Sequence, residues 1–449
     1  MELKTRKIIF NIFVAIFFII GAYLLIAAQG FVIDFKNFKF MKTGAIFLKF
    51  DPGDAEIFLN GEIYPVSKNL INNGVLIKSL PPSKYKITLR KNGYHEWVKE
   101  LTVESGFVSK ESQVKLWLKE PKYKLIAEKA DNFVLTDKGI IYERTKGKFR
   151  FNGTNLKGDK IILSDARSNY VVTVSGQDDY FWIDLANPAT AINLTELFYS
   201  LRERKLLLKG RAPIEKIMFH PVSRGAIIIA TQNAVYSLDA RKIDLEQLIA
   251  LKNLSILGFS QNELFLTDSS QKITVLNLVL KTKTTLSKLV NSSVDLKIGK
   301  DSNIFFLLNL GGELMEYDRE GEKIETITGN VKEFYLSPEK KRLAVITKDN
   351  ELKIIYLESY EGDIKEERGA SLKINLPNEK TLSSFNWLTN AQNYFLILTG
   401  NDLLAGEIDK RPPFNFYVLK NDIKKITLNE KELYLLKASG ELEKLDLNF

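Results

Sequence analysis

The strongest constraint on how this chain folds is a repeat. After residue 121 a strand-like opening recurs near Asn132, Lys160, Ile214, Leu254, Val294, Val331, Leu382 and Ile423, at spacings averaging about 42 residues. Each unit reads in the same order: a short apolar strand, a polar turn, a strongly apolar strand, a turn with Gly, Asn or Asp, and a strand ending near an acid. VKEFYLSPEKKRLAVITKDNELKIIYLES is the clearest copy, and IEKIMFHPVSRGAIIIATQNAVYSLDA, VDLKIGKDSNIFFLLNLGGELMEYDRE and IKKITLNEKELYLLKASGELEKLDLNF follow it. A unit of three or four short strands buries its apolar faces only against its neighbours, so the copies must close into a ring, a β-propeller over 122–449. Eight openings predict eight blades. Seven stays open, because the final unit holds about three strands and can borrow YKLIAE, near Tyr123, to close the ring.

Within the clearest copy, Ser337-Pro338-Glu339-Lys340-Lys341-Arg342-Leu343-Ala344 resembles the serine-proline-acid-glycine-lysine turn of WD40-like and TolB-like propellers, with Lys340 in place of the glycine. His220-Pro221 is a weaker echo. The WD dipeptide, the kelch double glycine and the Asp-box are not recognisable, which leaves the subfamily open. Two stretches break the rhythm. Ala186 to Ala212 includes TELFYSLRERKLLL, where Leu197, Leu201 and Arg204 are spaced for a short helix on a blade edge. Glu358 to Lys373 is charged, carries Glu361-Gly362-Asp363 and Arg368-Gly369, and reads as a mobile loop.

The other end of the chain is of a different kind. Ile8 to Ile33 is a run of 26 residues without a charge, in which Asn11 and Gln29 are the strongly polar members. As a helix it would be roughly 39 Å long, enough to cross a hydrocarbon core of about 30 Å. A cleaved secretory signal is the competing reading, since Lys4, Arg6 and Lys7 give a basic start and Ala27-Ala28-Gln29 could end an apolar core. Length argues against it, as does Ile26 at the outer small position of the cleavage pattern. The basic flank places residues 1–7 in the cytoplasm and the rest of the chain outside the cell membrane. Lys36, Lys39 and Lys42 on the far flank weaken that bias.

Between anchor and repeat the pattern alternates with period two. Ala45–Phe50, Ala55–Leu59, Lys84–Leu89, Glu100–Val103 and Gln113–Leu118 read as strands, and Asn60-Gly61 as a tight hairpin turn. Together they predict a small two-sheet sandwich. Pro52-Gly53-Asp54-Ala55 with EIFLNG, LPPSKYKITLRKNGY and ELTVESG resemble the PEGA domain, with Leu80, Pro81, Gly93 and Tyr94 at that family's turn positions. Ser83 stands where a glycine is usual, and Tyr64-Pro65 replaces the common glycine-threonine-proline turn. The resemblance covers 43–119 and implies a non-catalytic extracytoplasmic sandwich of bacterial and archaeal surface and envelope proteins. Tyr94, Trp97 and Trp117 read as core aromatics rather than a ligand platform. Glu120-Pro121 marks the boundary, where a protease is expected to cut.

Composition narrows the chemistry. Absence of cysteine removes disulfides, thiolate metal sites and thiol nucleophiles. His95 and His220 are the two histidines, too few for an ordinary zinc site, and both read as turn or surface residues. No glycine-rich phosphate loop opens a helix. The net charge is +9, and residues 1–121 hold 17 Lys and Arg against 11 Asp and Glu, so the excess lies near the anchor. Basic residues elsewhere alternate with acids, which gives no nucleic-acid stripe. Asp178-Asp179 and Asp301 sit in turns, and carboxylates from different blades could serve glycoside hydrolysis. The sequence therefore predicts an all-β chain with an N-terminal transmembrane helix, a PEGA-like sandwich and a seven- or eight-bladed propeller. It expects no catalytic residue, metal or cofactor. Its partners would be the membrane and an envelope protein or cell-wall glycan, with an envelope-carbohydrate hydrolase or lyase as the alternative.

Overall fold

The computed structural model describes the chain except residues 1–2, 29, 35–38, 66–73, 165–168, 206–211, 290–292, 301–302, 378–379, 430 and 448–449. A first helix, α1, spans Leu3–Ala28. Among the described residues its stretch Lys7–Ile26 is the one segment long and apolar enough to cross a membrane, and none of it is buried against the rest of the chain. The apolar run does not stay helical to Ile33. Gly30 takes a φ of +82°, open to a residue without Cβ, and the chain turns into a strand Phe31–Asp34 paired with Lys39–Lys42.

The sandwich follows. Glu62–Tyr64, Glu56–Leu59, Ser83–Arg90 and Trp97–Val103 form one sheet, in that order; Val75–Leu80, Gly44–Asp51 and Val108–Lys115 form the other. Alternation along Ser83–Arg90 and Trp97–Val103 puts Tyr85, Ile87, Leu89, Trp97, Leu101 and Val103 inward, against Ile46, Leu48 and Ile77. Asn60 and Gly61, at φ of 51° and 91°, make the hairpin turn that the Asn-Gly pair predicts, both residues being left-handed. The strand at Val75–Leu80 and the placement of the last strand at Val108–Lys115, rather than Gln113–Leu118, are not legible in the alternation.

Eight four-stranded antiparallel sheets make up the remainder, at 132–155, 160–193, 214–250, 255–289, 293–328, 331–374, 382–420 and 423–446. Strands are lettered A to D outward from the ring axis. The eighth sheet supplies A, B and C, and its D strand is Lys124–Ala127 from the start of the region, paired antiparallel with Leu442–Asp446. The YKLIAE segment thus closes the ring. Each apolar core lies between two sheets rather than within one: Phe133 and Leu135 of the first meet Tyr434, Leu436 and Leu442 of the eighth, and Phe265 and Ile273 of the fourth meet Phe305 and Tyr317 of the fifth. That is a β-propeller. Inner-strand lysines tie three of the sheets to the next: Lys216 Nζ donates to Ile256 O at 2.9 Å, Lys425 Nζ to Phe133 O at 2.7 Å, and Lys297 Nζ to Phe334 O.

The two interruptions resolve differently. A helix α2, Leu194–Arg204, is capped by Asn193, whose side chain accepts from Glu196 N–H, and buries Leu194, Phe198 and Leu201 between the second and third sheets. The buried stripe is offset from the predicted Leu197, Leu201 and Arg204, although the helix is where the spacing puts it. The stretch 358–373 is not a free loop. Tyr360–Glu361 pairs with Lys365–Glu366 in a hairpin, and its tip is fixed by contacts described below. Nor are residues 118–123 a free linker. Leu118 bridges to Tyr94, Lys119 N donates to Gly93 O at 2.9 Å, and the Tyr123 hydroxyl donates to Leu419 O at 2.9 Å.

Candidate functional site

Two regions of one propeller face stand out. Antiparallel alternation puts the A–B and C–D loops of every sheet on the same side of the ring. The sandwich docks on that side, over the sixth and seventh sheets. Asp363, in the C–D hairpin of the sixth sheet, accepts from Ser112 N–H at 2.8 Å and from its hydroxyl at 2.6 Å. In the seventh sheet the C–D loop carries Asp409, Arg411, Pro412 and Asn415, and Glu407 ends strand C. Lys99 of the sandwich, fully buried, pairs with Glu407 Oε2 at 2.8 Å and Asp409 Oδ2 at 3.4 Å, and donates to the carbonyls of Arg411 and Pro413. Trp97 Nε1 donates to Glu407 Oε1 at 2.9 Å, and Asn415 Nδ2 donates both to Glu407 Oε2 and to Val98 O. Trp117 packs into the propeller core between the seventh and eighth sheets, with Tyr394 at 6.1 Å.

Charge balance decides the state of the remaining carboxyl. Arg411 forks onto Asp409 through Nε and Nη2, at 3.0 and 2.6 Å, and its Nη1 meets Glu111 Oε1. Lys99 and Arg411 are already matched by Glu407 and Asp409, so Glu111 is a third carboxylate beside two cations. Burial pushes it from 4.5 up to about 8; Arg411 opposes the shift, while Asp409, Asp363 and Glu407 add to it. Burial thus favours the protonated acid over the carboxylate at Glu111. The Tyr394 hydroxyl, wholly buried beside Glu407, is raised well above its ordinary value by desolvation. It donates to Glu407 at 3.5 Å and accepts from Lys115 N–H at 3.0 Å.

On the third and fourth sheets the same face carries exposed apolar residues among charged ones. The C–D turns of the third, fourth and fifth sheets share one construction. The side chains of Asp239, Asn277 and Asp318 each accept from the N–H groups two and three residues on, and the fourth residue on, Ile243, Lys281 or Glu322, has positive φ. In the fifth sheet the turn carries Arg319, Glu320 and Gly321; in the fourth it carries Val279 and Leu280, and in the third it ends on Ile243. Polar residues satisfy this turn equally well, so its geometry does not call for the apolar ones. Leu280 is 69% exposed and Ile243 58%, and Val222 and Phe259 are exposed beside them, in and at the edge of the A–B loops. Ile243 is also β-branched at a φ of 53°, a strained conformation for such a residue.

The residues that sequence reasoning weighed for chemistry do not assemble. Asp178 and Asp179 are exposed at the second sheet's B–C turn, where Asp159 is engaged by Ser175 Oγ and Gly176 N–H, and Asp301 lies outside the described residues. On the inner strands, Asp295 pairs with Lys297 at 3.6 Å and Glu333 accepts from the Tyr335 hydroxyl at 2.6 Å. Among the described residues no group of three His, Asp or Glu is placed to hold a metal. His220 Nδ1 caps its turn by accepting from Val222 and Ser223 N–H. His95 lies at the docking surface, its ring 5.6 Å from Tyr417, and burial lowers its basicity. Lys340 takes a φ of 59°, the conformation for which the related turns use glycine, and its Nζ donates to Gly299 O at 2.7 Å. Of the three aromatics read as core, Trp97 is core and Tyr94 packs against it, whereas Trp117 belongs to the propeller.

A protein-family model described as the NUP159/214 beta propeller matches residues 228–435, a little under half of the chain. No curated protein sequence matches the chain. Among solved structures, BamB from Moraxella catarrhalis aligns at 10% identity and a TM-score of 0.48, over 72% of this chain and all of that one. Kluyveromyces lactis Hsv2 aligns at 11% and 0.44, over 66% of this chain and 98% of its own.

Proposed function

We propose that the chain is a single-pass membrane protein whose propeller is a non-catalytic docking platform for a protein outside the membrane. In this reading α1 is an uncleaved anchor with residues 1–7 in the cytoplasm, 43–119 is a PEGA-like stalk of an envelope protein, and 122–449 is an eight-bladed propeller with each four-stranded sheet as a blade. The apolar arc of Val222, Ile243, Phe259, Val279 and Leu280 carries the reading. Ile243, Val279 and Leu280 stand exposed on C–D turns that the fifth sheet builds from polar residues, and with Val222 and Phe259 exposed at the A–B side they favour a protein surface as the occupant.

A photo-cross-linking residue at position 280 in intact cells tests it, with Leu310, 69% exposed on the opposite face, as the control position. One recurrent protein adduct is expected from 280 and not from 310, and it should vanish in an Ile243→Asp variant that still folds. Adducts to glycan alone, or equal adducts from both positions, would refute the docking role. A C-terminal reporter active only in the cytoplasm would refute the topology.

A further inference from the structure

Strand direction gives the sandwich two ends. Trp97, Asp51 and Lys115 lie at the end that meets the propeller; Gly44, Val103 and Val108 lie at the other. Eight-residue strands at about 3.3 Å per residue separate the ends by roughly 25 Å. The far end is stitched to the exit of α1. Thr43 N–H and hydroxyl both donate to Gly30 O at 2.8 Å, two residues beyond the helix; Gly106 N donates to Thr43 O at 3.0 Å, Ser105 Oγ to Lys42 O at 3.1 Å, and Ala45 N to Phe107 O at 3.0 Å. The Glu104–Val108 turn is therefore held beside the point where the chain leaves the helix. At its tip Phe107 is 67% exposed and Val108 46%, with Val32 of the neighbouring hairpin also exposed. Lys42, whose stem lies against Gly106, and Lys110 flank the tip.

We infer that this tip is a second membrane contact, in which Phe107 enters the headgroup region of the leaflet from which α1 emerges while Lys42 and Lys110 meet anionic lipid. The inference rests on α1 spanning the bilayer. An aromatic ring has its favoured place at that depth, and cations beside it gain from negative lipid. One helix leaves a domain free to tilt and swivel; a second contact fixes the stalk upright and sets the height and facing of the docking arc.

The chain has no cysteine, so single cysteines accept an environment-sensitive fluorophore uniquely. Full-length Phe107→Cys, Phe17→Cys and Val222→Cys proteins, labelled and reconstituted in vesicles with anionic lipid, are read against lipids spin-labelled at the headgroup or deep in the chain. Position 107 should be quenched best by the headgroup label and 17 by the deep label, with 222 quenched by neither. Position 107 behaving like 222 while 17 remains deep would overturn the membrane contact and leave the anchor intact. Loss of deep quenching at 17 would overturn the anchor reading and the contact with it.

Discussion

The seventh and fourth sheets present equivalent loops on one face of the ring and use them in opposite ways. In the seventh, Glu407 and Asp409 are buried and Arg411 half-buried under the sandwich, and each is matched by an opposite charge. In the fourth, Val279 and Leu280 are held out by Asn277 and stand exposed among the described residues. A buried charged network adds little net stability beyond an apolar interface, but it tolerates one arrangement and is costly to break. The contrast teaches that this propeller uses polar complementarity where the sandwich is fixed to it and leaves apolar side chains exposed on equivalent loops elsewhere.

Lys99→Ala attacks the permanent side most directly. It strands Glu407 and Asp409 in the junction and should cost about 3–5 kcal/mol, measured by chemical denaturation, with new proteolysis near Pro121. Trp117→Ala should cost about the same by emptying the core between the seventh and eighth sheets. If either leaves both stability and proteolysis unchanged, the sandwich is not fixed to the ring.

Glu111 sharpens the same side through pH. Its carboxyl keeps its proton to about 8 when folded and releases it near 4.5 when unfolded. The unfolded state therefore binds fewer protons between those values, so stability falls as pH rises from about 4.5 to about 8 and levels off above. Glu111→Gln should flatten that descent; an unchanged profile would mean that Arg411 holds Glu111 ionised.

On the open side the effects are small in stability and large in binding. Ile243→Gly relieves the positive φ and should stabilise by up to about 1 kcal/mol while weakening capture at position 280. Stability gained with capture unchanged would remove Ile243 from the arc. Val279→Asp with Leu280→Asp should shift stability by no more than about 0.5 kcal/mol and abolish capture.

Much of the fold was legible before any coordinates. The eight openings coincide with the A strands or fall within one residue of them, because a half-buried A strand is followed by a polar turn and then by a B strand buried on both faces. Asn60-Gly61 was legible for a local reason, since few residue pairs accept two left-handed conformations. The mobile-loop reading of 358–373 failed because charge density identifies solvent-loving residues but not a partner 251 residues away, the separation of Asp363 from Ser112. The candidate sites were less visible still. Lys99 falls in the inward register of its strand with Trp97 and Leu101, and Glu111 lies opposite core-facing Leu48, so each is a charge at a core position, but nothing local says which distant residues meet it. The apolar arc had a faint signal in Val279-Leu280 beside a turn-forming Asn, but its grouping with Val222 and Phe259 depends on loop polarity.

The sequence by itself determined the apolar N-terminal helix, the period-two sandwich and the repeat that forces ring closure, because periodicity and turn chemistry act between residues close in the chain. Tertiary structure alone decided that the sandwich is fastened to the sixth and seventh sheets, that burial favours the protonated form of Glu111, and that the exposed apolar residues share one face. Those properties arise from desolvation and from charges brought together across about three hundred residues, as Lys99 and Glu407 are.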